Sequence, residues 1–455
     1  MANKECNMKH VILISAILMV LSASLVAEDW LTIYNDDLSL VRSRFELELE
    51  AGRQSYNYDD ITSRIIAPSV IVTSTEPGFT VAEQNYEYDL AGKWQIMAKY
   101  LDKEVVLLTK DNSRVRGVLK FFDGTSYGVT ENGTGRLIVV SDSETQMVQL
   151  AKLPDNFYVK PTLHWGLISP KAGKIPIQLT YMTGGFSWDV TYNSVWDDKA
   201  LALNSWVTIN NTSGKAFEDV TLKLIAGDVN RVYESYDKYS RYEYGMVEDA
   251  MAVAEAAPAF EEKAFHDFHM YTLDQKLSFA NNQTKQIALY PTQNVKAEGT
   301  YEYTTWGDGV SSIIKFKNTE ENGIGKPLPK GTIKVYKQDS DGNLEFIGED
   351  SIDHTSRNEE IKIRTGKAFD LVASTLTKDQ ANLGRDVSER TIQITLRNNS
   401  KEKKTIQVIH YMGGNTKLVQ KDIEPEIDTN NKATFLVEIE PDAQRIFSFR
   451  ERTEY

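Results

Sequence analysis

Cysteine is all but missing from this sequence. The one thiol, Cys6, lies ahead of an apolar run, so a chain trimmed behind that run has no disulfide, no thiol nucleophile and no thiolate metal site. Histidine is scarce as well, at six in 455 residues, which leaves little material for zinc ligation or for general base catalysis. Long apolar stretches are also lacking, with one exception from Val11 to Leu21. Lys4 and Lys9 precede it and Leu25-Val26-Ala27 follows it, which is the build of a secretory leader. The run is shorter than the roughly 20 residues a membrane helix needs. Cleavage after Ala27 is therefore expected, leaving residues 28–455 in the periplasm or outside the cell, with no transmembrane segment and no lipid anchor. Positive charge is the scarcer sign: 51 Lys plus Arg face 65 Asp plus Glu, for a net charge of −14. That balance disfavours unspecific binding to nucleic acid or anionic lipid, both of which need cationic patches.

What the sequence does have is period-two alternation. Phe45, Leu47 and Leu49 alternate with Glu46, Glu48 and Glu50, and the pattern returns at Leu201 and Leu203, at Ile392, Ile394 and Leu396, and at Phe435, Val437 and Ile439. Side chains two apart share one face of a strand, so each run offers an apolar face to a core and a polar face to water. Asp123-Gly124, Asn132-Gly133, Asp341-Gly342 and Gly413-Gly414 supply hairpin turns between runs. Helical periodicity is nearly absent. The expected fold class is all-β, with several antiparallel sandwich or barrel domains. An outer-membrane barrel is not among them, because Arg450, Glu451, Arg452 and Glu454 would put charge on a lipid-facing final strand.

A signal peptide is expected over 1–27, and a first β-domain over 28–97. Residues 98–154 read as a small SH3/Sm-like barrel of five strands: Glu104 to Lys110, Arg114 to Phe122, Tyr127 to Glu131, Arg136 to Val140 and Thr145 to Leu150. Its near-neutral charge argues against a nucleic-acid binder. A central β-sandwich follows over 155–327, and Pro327 and Pro329 flank the entry to an immunoglobulin-like sandwich over 328–455 that lacks the usual disulfide. Within the central segment, 228–264 breaks the strand pattern. Tyr233, Tyr236, Tyr239 and Tyr242 recur every third residue, Tyr244 follows, and an Ala- and Glu-rich run leads to Pro258. These five tyrosines are the candidate ligand-binding residues, suited to stacking on a glycan or partner. The competing reading is a loop resting on the body of the protein.

No coherent catalytic set emerges. Gly124-Thr125-Ser126-Tyr127-Gly128 matches G-x-S-x-G, but that chemistry needs a strand-to-helix turn, whereas the residues that follow read as further strand. His266 and His269 would point to opposite faces of a strand, and no third metal ligand accompanies them. His410 falls in phase with Ile406 and Val408, which places it in a core or at a strand end; His164 and His354 have no evident catalytic partner. Asp339, Asp341 and Asn343 alternate like calcium ligands, but Gly342 precedes Asn343 rather than following it, so a hairpin is expected. Trp165, Trp188, Trp196 and Trp206 cluster in sequence and are read mainly as core, with Trp206 opposite the apolar face of its run. No cofactor and no metal are expected.

A resemblance extends this reading. LTYMTGGFSWDVTY (Leu179 to Tyr192) and WVTINNTSGKAFEDVTLKLIAGDVNRV (Trp206 to Val232) are similar to a bacterial family of exported proteins, domain of unknown function 4139. FHMYTL (Phe268 to Leu273), NQTKQIAL (Asn282 to Leu289), PLPKGTIKVYKQDSDG (Pro327 to Gly342), FIGEDSIDHT (Phe346 to Thr355) and GKAFDLVAS (Gly366 to Ser374) extend the likeness in order. The family resembles, more distantly, mucoidy-inhibitor A-like proteins. The resemblance implies a β-rich, exported protein of the cell envelope; it implies no activity and no site residues. The expected function is a non-enzymatic, envelope-associated binding or scaffolding role with an envelope protein or glycan as partner. The alternatives are a hydrolase using carboxylates such as Asp189 or Asp228, and a glycan-binding module.

Overall fold

The computed structural model describes residues 28–35, 37–88, 93–152, 158–227, 229–230, 260–266 and 268–455. Thirty-one strands and a single α-helix build these residues, so the chain is all-β. No helix among them is long and apolar enough to cross a membrane.

The alternating runs bury the faces they should. Leu47 and Leu49 of strand Ser39–Leu49 and Leu201, Leu203, Val207 and Ile209 of strand Ala200–Asn211 are buried. At about 1.5–3 kcal/mol per buried large aliphatic side chain, these faces dominate the stabilisation. They belong to two large sheets that share one core. The eight-stranded sheet has Glu28–Ile33 near its middle, parallel to Phe217–Ala226 on one side and antiparallel to Ser39–Leu49 on the other. The five-stranded sheet runs Gln283–Lys296, Ala200–Asn211, Phe186–Trp196, Gly331–Gln338, Leu344–Ile352. A three-stranded sheet of Gly52–Tyr58, Thr162–Ser169 and Thr80–Glu87 packs Trp165 into the same core.

Sheet partnership cuts across the segments expected from sequence. Strands from 28–74 pair with strands from 173–226, and Gly331–Gln338 pairs in parallel with Phe186–Trp196. Parallel and long-range pairings leave no local signal, whereas turn chemistry does. Pro327 and Pro329 are tied into the central body: their carbonyls accept the buried hydroxyls of Tyr271, Tyr290 and Tyr192 at 3.3, 3.0 and 2.7 Å.

The C-terminal sandwich faces a six-stranded sheet (Glu360–Lys367, Ser311–Lys317, Glu298–Thr304, Lys404–Tyr411, Lys432–Ile439, Glu426–Ile427) against a four-stranded one (Leu371–Asn382, Val387–Asn398, Ala443–Glu454, Thr416–Lys421). Tyr303, Ile394, Leu396, Val408, Phe435 and Phe449 fill the space between.

The small unit has the five expected strands, in the order Thr145–Leu150, Glu104–Thr109, Arg114–Phe122, Ser126–Glu131, Leu137–Ser141. It is not a closed barrel, however, because the first and last strands in this order do not pair. A helix that the sequence reading did not anticipate, Lys93–Lys99, precedes it and adds Met97 to the core of this unit.

Candidate functional site

The tyrosines singled out in sequence, Tyr233, Tyr236, Tyr239, Tyr242 and Tyr244, lie outside the described residues, as does Asp228. Of the remaining candidates, most are absorbed by local structure. Ser126 begins a hairpin strand, and Asp123 Oδ1 accepts the backbone N–H groups of Thr125 and Ser126 at 2.8 and 2.7 Å. No helix follows that turn, so the nucleophile-elbow geometry is missing. Asp339 Oδ1 accepts the N–H groups of Asp341 and Asn343 at 2.8 and 2.9 Å, which uses up the would-be calcium ligand in its own turn. His266 sits at a left-handed turn position (φ 56°), while His269 Nδ1 lies 2.7 Å from Glu262 on the neighbouring strand. His164 Nδ1 lies 2.6 Å from Asn57 Oδ1, and His354 Nδ1 accepts the backbone N–H of Lys330 at 3.1 Å. Trp165, Trp188 and Trp196 are buried, and Trp206 is half-buried. Asp189 points outward from Phe186–Trp196, although desolvation by its surroundings raises its carboxyl above the ordinary range.

His410 is different. Strands Glu298–Thr304 and Lys404–Tyr411 run parallel, with Thr304 beside Ile409, and Thr305 donates its N–H to the Ile409 carbonyl at 3.0 Å. This brings the Thr305 hydroxyl within 2.8 Å of His410 Nδ1. In the facing sheet, Glu451 stands directly opposite Arg390 in the antiparallel register and turns its carboxylate inward. Glu451 Oε2 lies 2.8 Å from His410 Nε2, and Arg390 Nε pairs with Glu451 Oε1. A hydroxyl–imidazole–carboxylate–guanidinium chain thus ties the two sheets together. Phe449 packs 4.8 Å from the imidazole, and Phe435 stacks on Phe449. Burial pushes the Glu451 carboxyl upward. Hydrogen bonds and charge from His410 and Arg390 outweigh burial and hold the carboxyl below the usual glutamate range.

Hydroxyl, imidazole and carboxylate in this order are the parts of a nucleophile relay. An attacking oxygen must meet a substrate atom at about 3–3.5 Å, though, and Thr305 is only 4% exposed. His410 is wholly buried. The chain is arranged to anchor rather than to attack. Its outer end is open: Arg390 reaches the surface and lays its guanidinium 5.2 Å from the ring centre of Trp306, which is 64% exposed. Arg390, fixed by Glu451, therefore holds an indole in water. Tyr411, at the end of Lys404–Tyr411, and Tyr455, just past Ala443–Glu454, are exposed on the two sheets of the same sandwich.

Sequence reasoning found His410 through its phase but missed Thr305, Glu451 and Arg390, whose partnership depends on which strands face each other. Trp306 had a signal that went unused, as a large aromatic heading the turn Trp306-Gly307-Asp308-Gly309. Among the described residues, no group of three or more His, Cys, Asp or Glu side chains is placed to hold a metal ion. No protein-family model matches this chain, and no curated protein matches it.

Proposed function

We propose that this chain is an exported, non-enzymatic β-sandwich protein of the cell envelope, and that it binds through the surface centred on Trp306. The observation that carries this reading is the pairing of a water-exposed indole with a guanidinium that is itself anchored by a buried carboxylate. Holding an aromatic ring rigid lowers the entropy that binding must otherwise spend. An indole face with a cation beside it suits sugar rings and aromatic or acidic peptide segments. The resemblance to the exported family named above and the leader over 1–27 support an envelope location, and the tyrosines 233–244 are a second contact in this proposal. The sealed Thr305 hydroxyl supports a non-enzymatic role.

Cell fractionation with crosslinked pulldown of the exported protein tests the reading. An envelope glycan or protein captured by wild type and lost with Trp306→Ala supports it. Deleting residues 230–260 weighs the tyrosines separately. Turnover of envelope glycans, peptides or esters by the purified protein contradicts it.

A further inference from the structure

An unpaired sheet edge invites pairing with another chain unless charge, proline, brevity or cover blunts it. Every described edge strand of more than four residues carries such a guard, except in the small sheet. Examples are Lys263 in Phe260–Phe265, Pro291 in Gln283–Lys296, Glu349 in Leu344–Ile352, Lys378 in Leu371–Asn382 and Lys417 in Thr416–Lys421. In the small sheet both edges lack one. Leu137–Ser141 reads LIVVS and Thr145–Leu150 reads TQMVQL, without a charge or a proline.

The hydrogen-bond phase shows what each edge offers. Glu131 donates its N–H to Arg136 and Asp142 donates to Thr125, at 2.9 and 2.7 Å. Antiparallel ladders alternate, so Leu137 and Val139 turn their N–H and C=O groups outward; Ser141 follows in phase, but its carbonyl accepts the Thr145 hydroxyl at 2.9 Å. On the other side, Thr109 donates to Ser113 and Leu119 donates to Lys103, which assigns the odd-numbered residues of Glu104–Thr109 to the Arg114–Phe122 ladder. Val106 and Leu108 then serve Gln149 and Met147, and Val148 and Leu150 face outward. Among the described residues neither edge pairs with a further strand, and apolar side chains flank both: Leu137 is 56% exposed, Val139 58% and Met147 48%.

We propose that these edges pair with each other between copies of this chain, the Leu137–Ser141 strand of one copy against the Thr145–Leu150 strand of the next. The occupant is a second copy because one sheet supplies both halves of the contact, each with free ladder groups and exposed apolar side chains. Neither half brings a charge that repels the other. The halves are different surfaces, so the contact is heterologous and propagates into a ring or an open row. It shares no residue with the Trp306 surface and stands or falls independently of it.

The test is light scattering on the full exported chain across a concentration series. Wild type is expected to rise with concentration to at least twice the monomer mass. Val139→Pro removes an outward donor from one edge, and Met147→Lys places a charge on the other; each alone is expected to remain monomeric. Mixed in equal amounts they are expected to form dimers and nothing larger, because each keeps the edge the other has lost. Val139→Lys repeats the first block with the backbone donor intact, and unfolding curves matching wild type separate a lost contact from a lost fold. Wild type that stays monomeric at every concentration overturns the proposal. So do folded single variants that associate like wild type, or a mixture that yields no dimer.

Discussion

Glu451 in the C-terminal sandwich and Asp29 in the central body are both nearly sealed from water, at 1% and 6% exposure, yet only Glu451 has partners on both oxygens. His410 takes one and Arg390 the other. Asp29 sits on the central strand Glu28–Ile33 with Oδ2 3.6 Å from Lys215 Nζ, while its Oδ1 is buried without a hydrogen-bond partner in the structure. Lys215 is held closer by Asp60, at 2.8 Å from the carboxylate and 3.0 Å from the carbonyl. A buried acid with both oxygens satisfied fixes whatever it touches, and here its outermost contact carries an exposed aromatic ring. A buried acid with one oxygen unpartnered and the other no closer than 3.6 Å to a cation fixes less. The difference separates a surface that is held in place from a core that is merely tolerated.

The largest effect should come from breaking the better-satisfied cluster. Glu451→Ala leaves His410 and Arg390 without their acceptor and should destabilise the C-terminal sandwich by about 3–5 kcal/mol, read by urea unfolding with amide hydrogen exchange resolved to Val387–Asn398 and Ala443–Glu454. The same carboxylate sets an acid dependence. Its folded-state pKa lies below the unfolded value, so its contribution is complete above the ordinary glutamate range and drains as pH falls through the folded value. Unfolding midpoints measured down the acid limb should fall more steeply for wild type than for Glu451→Gln.

In the central body the effects should be smaller. Lys215→Met strands Asp29 but frees the half-exposed Asp60 to water, so a loss of about 2–3 kcal/mol is expected in thermal unfolding. Asp29→Asn should cost about 1 kcal/mol or less, since it removes a charge that is only half paired. A loss as large as that of Glu451→Ala would erase the contrast between the two sites. Tyr290→Phe should also cost about 1 kcal/mol, because Pro327 keeps the Tyr271 hydroxyl. Trp306→Ala should shift stability least, within about 0.5–1 kcal/mol, as an exposed ring that meets the Arg390 cation and, at 6.1 Å, the His410 ring.

Much of the fold was legible because alternation and turn chemistry are local. Arg114 to Phe122 and Thr145 to Leu150 match the observed strands end for end, and Gly124, Gly133 and Gly342 occupy the left-handed turn positions expected of them. Gly128 was read as part of a hairpin, yet it matters for another reason: a Cβ there would meet the Phe121 ring at 2.1 Å. What could not be read was partnership. Nothing near Glu28 announces a parallel neighbour at Phe217–Ala226, and nothing near His410 announces Glu451, because each pairing is settled by packing of distant strands. The helix Lys93–Lys99 escaped notice because seven residues show less than two full periods. Barrel closure was inferred from strand number and spacing, which do not determine whether the end strands meet.

Co-sedimentation of the folded protein with isolated cell envelopes, comparing wild type with Trp306→Ala, tests the account most directly. Wild type should pellet with the envelopes, and Trp306→Ala should stay in the supernatant with an unfolding curve close to that of wild type. Equal pelleting of the two proteins would contradict the account.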